Sequence, residues 1–132
     1  MKVHLIEGPE NAGKSSLIYA QYRRIMNTNQ YKLVENHSPQ SLDDFIYLIQ
    51  HTETEKCILF NSATDTFPCI HRMEQFYNTF KRVYNIVTVV SSNRDINSHA
   101  GKHKRVRNFA NNIITYSSDL IITDLTKLHN NI

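Results

Sequence analysis

The chain has 132 residues, a formal net charge of +3, 40% hydrophobic and 20% charged residues, and two cysteines. That length supports one domain over residues 1–132 around one sheet, the mild charge speaks against a surface given over to nucleic acid, and no apolar run approaches a membrane span. With a strand following Met1-Lys2 directly, the chain reads as cytoplasmic, so Cys57 and Cys69 are expected as reduced, buried thiols rather than a disulfide or a metal centre.

In chain order, Val3 to Ile6, with Glu7, reads as a buried strand. The stretch Gly8-Pro9-Glu10-Asn11-Ala12-Gly13-Lys14-Ser15 follows, and Ser16 to Met26 then carries Ile18, Tyr22, Ile25 and Met26 at helical spacing. After a polar break at 27–30, Tyr31 to Glu35 reads as a second strand, closed by Asn36-His37-Ser38-Pro39. Ser41 and Asp44 stand at capping-box spacing, and Leu42, Phe45, Ile46 and Ile49 predict a second helix running to about His51. Thr52 to Glu55 reads as a turn and Lys56 to Phe60 as a strand buried on both faces, ending in Asn61-Ser62-Ala63-Thr64-Asp65. Pro68 opens a third helix with the stripe Cys69, Ile70, Met73, Phe76, Tyr77 and Phe80. Tyr84 to Val90 predicts a fourth strand, ending in Ser91 to Asp95, and Ile96 to Lys102 a loop. Val106, Phe109, Ala110 and Ile113 mark a short fourth helix, Leu120 to Thr123 a fifth strand, and 124–132 a terminal turn or helix. The alternation predicts a three-layer α/β fold, with a mainly parallel five-stranded sheet and helices on both faces.

The segment from Gly8 to Ser15 satisfies G-x-x-x-x-G-K-[ST] at every fixed position and lies between a strand and a helix. Gly8 allows a tight exit from the strand, and Gly13 lets the backbone approach an anion without a side chain in the way. Loop and helix N–H groups, from Gly8, Pro9's neighbours, Glu10, Asn11, Ala12, Gly13, Lys14, Ser15 and Ser16, then surround phosphate. Lys14 reaches the β/γ-phosphates and the Ser15 hydroxyl completes a Mg2+ shell. This resembles the Walker A loop of the P-loop NTPases, and the order of elements resembles that of the small nucleoside and nucleotide kinases of that class.

The resemblance implies the P-loop NTPase fold, ATP or another nucleoside triphosphate as substrate, and transfer of its γ-phosphate to a small acceptor such as a nucleoside or nucleotide. It also implies a metal-holding acidic residue, for which Asp65 is the candidate beside a capping role for Asp65 and Thr66. An arginine-bearing lid after the fourth strand is implied too, with Arg94, Arg105 and Arg107 at the matching positions. The acceptor is expected near Asn36, His37 and Asn61. The catalytic candidates are thus Lys14, Asp65, Arg105 and Arg107, and the metal candidates Ser15 and Asp65. An alternative is an ATPase or nucleotide-dependent switch read by a protein or nucleic-acid partner, with Ser91, Ser92 and Asn93 sensing the γ-phosphate. The run Lys102-His103-Lys104-Arg105-Val106-Arg107 is the densest positive patch, and a polynucleotide bound there is the less favoured partner. The guanine-reading N-K-x-D pattern is absent from the sequence, which favours adenine. The seven histidines show no zinc spacing.

Overall fold

A computed structural model describes residues 3–8, 13–37, 45–62, 64, 66–81, 86–93, 96–114 and 120–124. The apolar run near the N-terminus forms β1 (Val3–Gly8), and the chain continues through α1 (Lys14–Met26), β2 (Tyr31–His37), β3 (Ile46–His51), β4 (Cys57–Asn61), α2 (Phe67–Phe80), β5 (Ile86–Asn93), α3 (Ile96–Ile114) and β6 (Leu120–Asp124). The six strands lie in one sheet in the order β2-β3-β4-β5-β1-β6. Strands β4, β5, β1 and β6 are mutually parallel, whereas β3 runs antiparallel to both β2 and β4.

This corrects the expected architecture. The mainly parallel, five-stranded P-loop NTPase sheet is replaced by a mixed one, because the segment expected as a helix to His51 is strand β3. Residues 41–44, with the supposed capping box, lie outside the described residues. Phe45, just before β3, and Ile46, Leu48 and Ile49 within it are all buried. A short apolar run buried on two sides suits both periods, so flanking structure decides. Here it is the turn after His51. Its ring Nδ1 accepts the N–H groups of Glu53 (3.1 Å) and Thr54 (3.2 Å). Glu55 takes φ 63° and its N–H donates to the His51 carbonyl at 3.2 Å, while His51 N–H donates to the Lys56 carbonyl at 2.9 Å. That reversal folds β3 back on β4, with Gln50 opposite Cys57 and Ile46 opposite Asn61.

Two apolar clusters hold the layers. Val3 and Leu5 of β1 join Leu59, Ile86 and Val90 beneath Ile70, Met73 and Tyr77 of α2 and Val106 and Ala110 of α3. Ile6, Phe45, Ile49, Phe60 and Val89 pack with Ile18 of α1. Helix α2 is capped by Thr66, whose hydroxyl accepts the Cys69 N–H at 3.2 Å. Helix α3 is longer than expected, since 96–102 is helical rather than a loop. Gly101 belongs inside it for a packing reason: a Cβ there would stand 3.3 Å from Cζ of Phe67 at the start of α2. Both cysteines are free, Cys57 buried and Cys69 half-buried.

Two stability predictions follow from this core. Thr88 of β5 is fully buried, with no hydrogen-bond partner for its hydroxyl among the described residues. Thr88→Val removes an unsatisfied group at nearly constant shape and should stabilise by about 1 kcal/mol, read from urea unfolding; a loss of stability would show the hydroxyl to be satisfied. Burial raises the Cys57 thiol above its ordinary value of 9.0. The unfolded chain therefore ionises first, and stability should fall as pH rises through the region above 9. Replacing Cys57 with Val should flatten that fall.

Candidate functional site

Ligands of parallel α/β sheets collect beyond the carboxyl ends of the strands, where neighbouring connections diverge. The chain leaves β1 through α1 toward the β2–β4 side, and leaves β5 through α3 toward β6 on the other side. The connections of these two neighbours thus run in opposite directions, and the switch lies between β1 and β5, where Gly8 stands in register with Asn93. Gly8 is also the first fixed glycine of the loop read as phosphate-binding.

Beyond Gly8, the residues Pro9, Glu10, Asn11 and Ala12 lie outside the described ones. Gly13 is the N-cap of α1, with φ 91° and ψ 20°. An added Cβ would meet nothing within 4 Å, so glycine is required there by backbone conformation rather than by space. Among the described residues no side chain caps the helix, and its first turn holds no acidic residue. The first-turn N–H groups and the positive end of the helix thus face no built-in carboxylate from that turn. Lys14 is only 7% exposed, and its Nζ donates to the Gly8 carbonyl at 3.2 Å. The lysine therefore folds back across the mouth of the loop it follows. Ser15 is half-buried and Ser16 exposed.

On the α3 side of the same strand end lies a polar group that the sequence reading passed over. Glu7 is 1% exposed, and its Oε1 accepts from Arg107 Nε at 2.6 Å. His103 Nε2 approaches the same oxygen at 3.6 Å, and its Nδ1 stands 2.6 Å from the Ser92 Oγ. These partners suit a tautomer with the proton on Nε2, facing the carboxylate, and with Nδ1 accepting from the Ser92 hydroxyl. The hydrogen bond to Glu7 raises the Arg107 guanidinium above its ordinary range, against a smaller opposing effect of burial. Arg105, two residues earlier, is turned to α2 and forks onto Glu74, with Nε to Oε1 at 2.8 Å and Nη2 to Oε2 at 3.4 Å. That bond likewise raises its guanidinium. Two of the three arginines expected on a lid thus sit on a helix, each engaged with a carboxylate.

Of the other expected site residues, Asp65 and Arg94 lie outside the described residues. His37 and Asn61 occupy one backbone row at the same sheet edge, but with Ile46 of β3 between them. The expected acceptor position between those two strand ends is therefore occupied by a strand. Asn36 is exposed, while Asn61 is fully buried and its Nδ2 lies 2.7 Å from Met73 Sδ. Among the described residues no cluster of three His, Cys, Asp or Glu could hold a metal ion, and no helix is long and apolar enough to cross a membrane. No protein-family model, curated protein or solved structure matches the chain.

The two arginine pairs should differ in energetic weight. Glu7 is buried, so Arg107→Ala takes the nearest cation from a buried carboxylate and should cost about 3 kcal/mol. Glu74 and Arg105 are partly solvated, and Arg105→Ala should cost under about 1 kcal/mol. Equal costs in urea unfolding would contradict this ranking.

Proposed function

We propose that the chain binds the phosphates of a nucleoside triphosphate, with ATP favoured, at Gly8–Ser16, and transfers the terminal phosphoryl group to a small acceptor such as a nucleoside or nucleotide. One observation carries the reading. At the end of a parallel strand, a left-handed Gly13 opens a helix whose first residue, Lys14, is buried with its ammonium on the Gly8 carbonyl. A cation at the first residue of a helix whose opening turn carries no acidic residue supports the reading, because polyphosphate draws on cations and helix N–H donors.

On arrival of the nucleotide, Lys14 exchanges its carbonyl contact for oxygens of the β- and γ-phosphates. The N–H groups at the start of α1 hold the same anion and keep it oriented. The residues present fit Mg2+, because this ion keeps several waters, takes phosphate oxygens and asks few ligands of the protein. Ser15, at the second residue of α1 and half-buried, would supply its hydroxyl. Bound with the nucleotide, Mg2+ neutralises charge on the β- and γ-oxygens.

Calorimetric titration with MgATP should give saturable binding, and Lys14→Met, which keeps the stem and removes the charge, should weaken it at least about tenfold, or about 1.4 kcal/mol. Label from [γ-32P]ATP should appear on a nucleoside or monophosphate in a panel of acceptors. Absence of binding would overturn the reading as a whole. Phosphate released only to water, with nucleotide-dependent self-association, would replace transfer by the switch alternative.

A further inference from the structure

We infer that Glu7 is a positioning residue for the phosphate site: its carboxylate, pinned from α3 by Arg107 and His103, sets the place of the Gly8 carbonyl and so of the Lys14 ammonium. The inference rests on the triphosphate reading for its functional consequence and on geometry for the rest. Glu7 and Gly8 share a peptide unit, so a shift of one backbone moves the other. On the α3 side, Arg107 Nε lies 2.6 Å and His103 Nε2 3.6 Å from Glu7 Oε1. On the α1 side, Lys14 Nζ lies 3.2 Å from the Gly8 carbonyl. Two consecutive residues of β1 therefore join one helix to the other across the exit of the strand. The pin reaches β5 as well, because Ser92 stands in register with Glu7 and its Oγ is 2.6 Å from His103 Nδ1.

A purely structural tie would not need this chemistry. Farther along the same interface, Val106 and Ala110 of α3 pack with Val3 and Leu5 by apolar contact alone. A buried carboxylate is costly to hold even when paired, and an apolar replacement is often as stable. What a charged, hydrogen-bonded pair adds is fixed position. Here it occupies the last residue before the loop, where an error in strand exit would pass directly to the lysine.

The test uses the full chain with Glu7→Gln, which keeps size and removes charge, and Arg107→Lys, which keeps charge and loses the Nε–H donor. Glu74→Gln, which breaks the other tie of α3, is the control. In nucleotide-free protein, the Lys14 ammonium protons, followed by 15N NMR, should exchange with water at least about tenfold faster in Glu7→Gln and unchanged in Glu74→Gln. MgATP affinity, measured well below each melting temperature, should fall about tenfold in Glu7→Gln and less in Arg107→Lys. It should stay at the wild-type value in Glu74→Gln. Should Glu7→Gln not fold, Arg107→Lys and His103→Gln provide the same two readouts. Unchanged exchange and affinity in the Glu7 variant, or equal losses in Glu74→Gln, would overturn the inference. Faster exchange in a protein that binds no triphosphate would uphold the positioning and overturn the nucleotide reading alone.

Discussion

Everything at the site depends on strand β1 being paired along both edges. Parallel β5 and β6 hold it from Val3 to Glu7, and β5 continues to Gly8. A strand fixed in this way cannot drift along its axis without breaking two ladders. Its last residues therefore emerge at one place, where the connections from β1 and β5 set off in opposite directions. Helix α1 packs on the sheet with Ile18 buried among Ile6, Ile49 and Phe60.

The polar residues at the exit form a line across the strand end. Ser92, His103, Glu7 and Arg107 lie on the α3 side, and the Gly8 carbonyl and Lys14 link to α1. Each hydrogen bond is worth little net, about 1 kcal/mol for neutral partners and about twice that for charged ones. Their collective effect is geometric. Lys14 is held in a buried position, so, on the proposed reading, less side-chain entropy remains to be lost when an anion binds. The same arrangement separates the roles of the basic residues on α3: Arg105 joins helix to helix, while Arg107 joins helix to the strand end.

The strand that ends at Gly8 and the helix that Gly13 opens were legible because short-range chemistry determines them. An apolar run, a glycine that the backbone requires at φ 91°, and an adjacent lysine leave little for distant residues to decide. The mixed sheet was not legible. Phe45 to Ile49 is apolar enough to satisfy either period, and the outcome rested on a four-residue turn stabilised by the His51 ring, a role that no residue pattern announces. The first half of α3 was hidden for a related reason. Ser98 and Gly101 look like loop residues, and the glycine is explained only by the nearby Phe67 ring. Glu7 and Arg107 are 100 positions apart, so spacing could not link them. Two weak signals were present: a carboxylate ending an apolar strand, and His103 and Arg107 four apart on one helix face.

The most direct measurement is a crystal structure of the protein with a non-hydrolysable ATP analogue and Mg2+. The account predicts the β-phosphate within hydrogen-bond reach of Lys14 Nζ and of the N–H groups at the start of α1, with Gly13 unchanged in its left-handed conformation. A triphosphate bound elsewhere, or Lys14 still on the Gly8 carbonyl with no anion beside it, would contradict it.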